Sequence, residues 1–303
     1  MLKGVKGSGA SAVMVLLTVL MSTGSLQAGL VCWGEDFGSD VPQPPGGALS
    51  QLSADITDIE LGVFVACGGA PSDGVRCLSL PEGDELLTAP RGYRAFAAGS
   101  FGACVIDGEG RLACAGDPVP PADRVDPGLR YVAVSVGPAH ACAILEDGTV
   151  GCWGTDDLGQ STPPADLRAV AVAVGLFHTC AIRPDRSVTC WGGDEFGQAG
   201  VPGGLSATGV SAGGDHSCAV TADAGVACWG DIHAFPDGLA GAVPEPVQAV
   251  SDGMQTCLRD RSGLVRCWLS QPHLVDGMAD PVGLTSAADL DVAGRVFACA
   301  VTE

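Results

Sequence analysis

His140, His178 and His216 each stand two residues before a cysteine, in HAC, HTC and HSC. Imidazoles are common metal ligands and general bases, so a repeated histidine invites both readings. Equivalent places in a repeat lie one structural step apart, and three neutral rings so placed do not converge on one ion. The pattern predicts instead a ring nitrogen bonded to a neighbouring backbone group. Val65, Gly102, Gln255 and Phe297 take the same place elsewhere. Acidic pairs Glu35-Asp36, Asp156-Asp157 and Asp194-Glu195 follow Trp-Gly steps and offer oxygens to a cation. None spaces those oxygens as a calcium loop does, so solvated turns are expected. Residues 29 to 303 contain no nucleophile elbow, HExxH, P-loop or dinucleotide fingerprint. Nothing singles out two of the 35 acids for glycoside hydrolysis. The reading is a chain with no catalytic residue, metal or cofactor.

The chemistry that the spacing does specify is oxidative. Six cysteine pairs are each ten apart: Cys67 and Cys77, Cys104 and Cys114, Cys142 and Cys152, Cys180 and Cys190, Cys218 and Cys228, Cys257 and Cys267. Zinc sites need shorter spacings within a pair. Each pair brackets a turn such as GEG, EDG or RSG with alternating residues on both sides, the signal of a β-hairpin. Cysteines directly opposite in a hairpin come within reach of a disulfide.

Those hairpins need an oxidising compartment. Residues 1–28 carry Lys3 and Lys6, an apolar run from Ala12 to Met21 and a small exit residue at Ala28. This reads as a signal peptide, with the protein secreted or held in the periplasm or cell envelope once it is removed. The 13 arginines and 35 acids that remain sum to 13 − 35 = −22. Such a surface suits neither nucleic acid nor anionic membrane.

The pairs recur every 37 to 42 residues, a period of stacked or circular units. A glycine stands five before the first cysteine in six units (Gly62, Gly99, Gly137, Gly175, Gly213, Gly294), with Asp252 in the seventh. An apolar strand such as YVAVSV or AVAV precedes it. Trp33, Trp153, Trp191, Trp229 and Trp268 directly follow a second cysteine. A unit thus runs strand, Gly turn, strand, tight turn, strand, then a Pro-rich connection that would break a helix. The fold class is all-β, a seven-bladed β-propeller over residues 29–303, with a linear β-solenoid as runner-up. Cys299 has the context of a first cysteine and Cys32 that of a second. Paired, they supply the seventh hairpin, and the N- and C-terminal strands close the ring.

The phrase G-x-x-H-x-C-A-[IV], turn, V-x-C-W-G, x-D-x-x-G-Q, best matched at 137 to 160 and 175 to 198, resembles the regulator of chromosome condensation (RCC1) repeat. The resemblance implies a seven-bladed propeller with a closing strand, similar also to the secreted β-lactamase-inhibitory propeller proteins. It further implies recognition of another protein through loops on one face, by a monomer. Residues 67 to 116 lack the Trp, His and G-Q of the phrase. Three residues before each first cysteine stand Phe64, Phe101, Ala139, Phe177, Asp215, Met254 and Val296, expected as a ring on one face and as the candidate partner-binding surface. The alternative function is an extracellular hydrolase or lyase with its site at the propeller mouth. Repeat-breaking polar residues at one end of the axis would favour the enzyme, an apolar ring the binder.

Overall fold

The computed structural model describes residues 29–34, 52, 55–70, 72–80, 82–117, 126, 128–232, 243–253, 255–269, 286–293 and 297–302. Residues 1–28, Glu35-Asp36, Met254 and Val296 lie outside them. Among the described residues there are strands and turns, and no helix long and apolar enough to cross a membrane.

Strand β1 spans Gly29–Gly34. Then β2 (Asp58–Leu61), β3 (Val65–Ala70), β4 (Gly74–Ser79) and β5 (Glu85–Ala89) form one sheet. Next come β6 (Ala95–Ala98), β7 (Phe101–Ile106) and β8 (Leu112–Asp117). They are followed by β9 (Tyr131–Val136), β10 (His140–Leu145) and β11 (Val150–Gly154). The fourth sheet holds β12 (Ala171–Val174), β13 (His178–Ile182) and β14 (Val188–Gly192). The fifth holds β15 (Ala207–Ala212), β16 (His216–Thr221) and β17 (Val226–Gly230). The sixth holds β18 (Pro246–Asp252), β19 (Gln255–Asp260) and β20 (Val265–Leu269). Last, β21 (Ala287–Ala293) and β22 (Phe297–Thr302) share a sheet with β1.

Every hairpin has the register that the cysteine spacing demands. Cys67 lies opposite Cys77, Cys104 opposite Cys114, Cys142 opposite Cys152, and likewise through Cys257 and Cys267. All six of these pairs are disulfide-bonded. The turns between them close on an aspartate: Asp107, Asp147, Asp185 and Asp260 each accept, through Oδ1, the N–H two residues on. Short acceptors of this kind mimic a backbone turn, which is why the midpoints read as Asp and Gly. The first sheet departs from the others. Where Trp and G-Q are missing, β5 adds a fourth strand beside β4.

The first strands of successive sheets adjoin in a circuit: β2 meets β6, β6 meets β9, then β12, β15, β18 and β21, and β21 meets β2. Apolar side chains fill the space between neighbouring sheets. One cluster joins Cys142, Ile144 and Val150 of one sheet to Val174, Ala181 and Trp191 of the next. At the seam, Ile59 and Leu61 pack with Cys299 and Val301, and Leu30 of β1 leans on the same group. β1 runs antiparallel to β22 with Cys32 opposite Cys299, and Cys299 is itself disulfide-bonded.

Candidate functional site

The recurrent glycine makes a tight turn at one end of five of the sheets. Gly62, Gly99, Gly137, Gly175 and Gly213 each donate their N–H to the carbonyl three residues on. These turns crowd one another around the axis. A Cβ on Gly175 would lie 2.4 Å from the Gly213 carbonyl oxygen, and one on Gly99 2.5 Å from that of Gly137. Glycine recurs here because backbone meets backbone.

Each turn presents the residue three before the cysteine. Phe101 and Phe177 are 54% and 40% exposed, while Phe64 is half-buried and stacks on Phe101 with ring centroids 5.0 Å apart. Ala139 and Asp215 are half-buried in the equivalent turns. The loop after each Trp-Gly docks beside them, since Thr155, Gly193 and Asp231 donate their N–H to the carbonyls of Ala139, Phe177 and Asp215. Those loops expose two apolar residues that the repeat reading passed over, Leu158 at 55% and Phe196 at 50%. Their signal was present in D-D-L-G-Q and D-E-F-G-Q, an apolar residue between acids and a buried glutamine.

The same loops explain the histidines. Gln160 and Gln198 are buried and accept, through Oε1, the N–H of Leu158 and Phe196. The Gln160 carbonyl takes hydrogen bonds from Trp191 Nε1 at 3.0 Å and from the Thr179 hydroxyl at 3.0 Å. Gln198 does the same for Trp229 and Ser217. With the hydroxyl proton so used, Thr179 Oγ1 accepts from His140 Nε2–H at 2.7 Å, and Ser217 Oγ from His178 Nε2–H at 2.7 Å. His216 Nε2 meets Thr256 Oγ1 in the equivalent position. The partner is therefore a side chain of the next sheet and not the backbone group expected from sequence. His140, Thr179, Gln160 and Trp191 thus form one bonded group between two sheets, and His178, Ser217, Gln198 and Trp229 form the next.

These rings are neutral. Burial depresses His140 to about 4, His178 to about 3 and His216 to about 4. The unfolded chain binds protons near pH 6.5 that the folded one refuses, so stability contributed by the histidines is lost as pH falls from about 6.5 to about 4. A chemical-denaturation series across this window is expected to show midpoints falling with pH, and a His140→Gln/His178→Gln variant a shallower slope. A slope unchanged in that variant would contradict the assignment.

Along the axis, the first strands line a cavity of about 210 Å³. At the place opposite the first cysteine stand Ala97, Ser135, Ala173, Ser211 and Val250, but Glu60 and Asp291 at the seam. Both acids are half-buried in the cavity wall, and desolvation with neighbouring carboxylates pushes both well above the usual carboxylate range. Their oxygens satisfy strand N–H groups: Asp291 Oδ2 accepts from Leu61 at 2.5 Å, Asp289 Oδ2 from Ile59 at 2.9 Å, and Glu60 accepts from Ala98. Ser135 Oγ serves Val174 likewise at 3.1 Å. Where this position carries a hydroxyl or a carboxyl, as at Ser135, Glu60 and Asp291, it forms a rung between first strands. Sequence reading missed Glu60 and Asp291, although an acid where other units hold Ala, Ser or Val marked them.

Asp156-Asp157 and Asp194-Glu195 sit in exposed turns, as expected. Asp156 and Asp194 are held by their own loops, accepting from Ser161 N and Ala199 N. No group of three metal-ligating side chains occurs among the described residues.

Repeated antiparallel sheets packed around an axial cavity define a β-propeller. Two of the repeats match the family model described as Regulator of chromosome condensation (RCC1) repeat, at residues 131–160 and 169–198. No curated protein matches the chain. Among solved structures, Prp20p of Saccharomyces cerevisiae is similar at a TM-score of 0.68 and 14% identity, over 91% of each chain. The CRINKLY WD40 ectodomain of the Arabidopsis thaliana receptor kinase ACR4 is similar at 0.63 and 23% identity, over 82% of this chain and 90% of that one. The ectodomain of the Physcomitrella patens receptor kinase CR4 is similar at 0.63 and 20% identity, over 78% of this chain. This chain spans 66% of that ectodomain.

Proposed function

We propose that residues 29–303 form one seven-bladed propeller, closed by β1 beside β22 and by a Cys32–Cys299 disulfide, that acts outside the cytoplasm as a protein-binding module. The observation that carries the reading is the pair of exposed aromatic rings, Phe101 and Phe177, held at one repeat position on the Gly-turn face. Rigid aromatic side chains on a fixed scaffold bury large area at small entropic cost, and they dominate binding energy at protein interfaces. A disulfide in each of six hairpins, together with the signal-type residues 1–28, supports secretion or retention in the cell envelope. Among the similar structures, Prp20p binds Gsp1p and histones and the ACR4 domain is a receptor ectodomain, which supports the same direction.

The hydrolase or lyase alternative would need two carboxylates free to reach a substrate. Glu60 and Asp291 are instead engaged by strand N–H groups. Capture of ligands from the envelope and medium of the secreting cell, with mass-spectrometric identification, tests the reading. Phe101→Ala/Phe177→Ala is expected to lose the captured protein at an unchanged melting temperature, and full retention would remove the Gly-turn face as the site.

A further inference from the structure

The two ends of the ring differ in charge. The described Gly turns and post-Trp loops at 137–139, 154–160, 175–177, 192–198, 213–215 and 230–232 contain Asp156, Asp157, Asp194, Glu195, Asp215 and Asp231, and neither lysine nor arginine. Arginines gather at the opposite end, in or beside the hairpin turns, at Arg111, Arg130, Arg168, Arg183, Arg186 and Arg261.

On the acidic end the apolar groups form a patch. A methyl placed on Gly193 would lie 3.0 Å from Leu158 Cδ1 and 3.2 Å from Phe177 Cβ. Those two side chains therefore close over Gly193, where the equivalent places hold Thr155 and Asp231, and together they present one exposed apolar surface. Phe196 stands exposed in the next loop, and each of Leu158 and Phe196 follows two exposed acids. Around the patch the negative charges act on one another: burial and the charges of Asp231 and Glu195 raise the Asp215 carboxyl above its ordinary value. An exposed apolar patch with an acidic rim is complementary to a protein surface that carries an apolar anchor among arginines or lysines.

We propose that the apolar patch of Leu158 and Phe177, with the acids at 156–157, 194–195, 215 and 231, docks a cationic segment of a partner protein by an apolar anchor laid against those two side chains. The inference rests on the protein-binding reading above and adds the chemistry of the partner. The acidic rim supplies orientation and association rate and the apolar patch supplies residence, since steering charge acts mainly on encounter while buried apolar contact acts on release. A second copy presenting this same face is disfavoured by like charge.

Three short dye-labelled peptides test it by fluorescence anisotropy: one of arginine and leucine with a single tryptophan, one with glutamate for arginine, and one with serine for leucine and tryptophan. The first is expected to bind best, the serine form more weakly, and the glutamate form not at all. Leu158→Ser and Phe177→Ser are each expected to weaken the first peptide about tenfold, the scale of a lost anchor. Asp157→Asn/Glu195→Gln should weaken it and flatten its salt dependence, whereas Glu109→Gln/Glu245→Gln at the opposite end should leave it unchanged. Equal binding of the glutamate peptide, or equal loss from neutralising the opposite end, would overturn the proposal. So would sedimentation showing a dimer of this protein that Phe177→Ser dissolves. A captured protein lost on Phe101→Ala/Phe177→Ala but indifferent to salt and to Asp157→Asn/Glu195→Gln would leave the binding module standing and remove its cationic partner.

Discussion

Cys32→Ser is expected to melt about 4 to 8 °C below Cys142→Ser, at about 2 to 4 °C per kcal/mol for a chain of this size. The proposed Cys32–Cys299 bond encloses 268 residues, counted from 32 through 299, whereas Cys142–Cys152 encloses 11. In the chain-entropy picture these loops contribute on the order of 5 and 3 kcal/mol. The greater stabilisation falls where the ring has no covalent chain continuity. β1 meets the last sheet by its pairing with β22, and Leu30 packs into the cluster shared by β2, β3 and β22. Losing the bond therefore frees β1 and exposes the edge of β22, which a row of exchangeable amides at residues 297–302 would report. Cys142→Ser opens a single hairpin that β9 still flanks. Scanning calorimetry on the two variants decides between them, and equal losses would contradict closure at this seam.

Gly175→Ala is expected to cost about 2 to 3 kcal/mol, the upper range for forcing atoms into packed space. The added methyl would sit 2.4 Å from the Gly213 carbonyl oxygen and 2.9 Å from His178 Cε1, so backbone of the next turn would have to move. That movement would strain the His178 bond to Ser217 and with it the contact between sheets. Gly203→Ala is the control. Nothing lies within 4 Å of a methyl there, and the substitution is expected to be neutral or to stabilise by about 0.5 kcal/mol through the unfolded chain. Urea midpoints with unchanged slopes would measure both. A Gly175→Ala protein as stable as the Gly203→Ala control would mean that the turns do not crowd as the structure has them.

The hairpins, their disulfides and the Gly turns were legible in the residues because each is settled within about a dozen positions. Cys104 faces Cys114 because ten residues with an Asp-Gly turn leave no other register. The all-β class followed from the same local pattern repeated, and so did the place of Phe101 and Phe177 on the Gly-turn face. The first sheet kept its hairpin without Trp or G-Q, but its fourth strand had no periodic signal, since β5 copies no other unit.

What lay beyond the sequence was everything decided between sheets. By sequence His140 bonds backbone nearby, yet its partner is Thr179 on the following sheet, held in turn by the Gln160 carbonyl. Glu60 and Asp291 read as two acids among many, and they meet because the first and last of these strands adjoin. Leu158 became part of a surface only when its loop docked against the turn of Phe177. The sequence alone determined the repeat and what each unit bonds to itself, because short loops and strand alternation fix those contacts. Tertiary structure decided which atoms of one unit face the next, because sheet-on-sheet docking joins residues whose separation along the chain carries no local energetic signature.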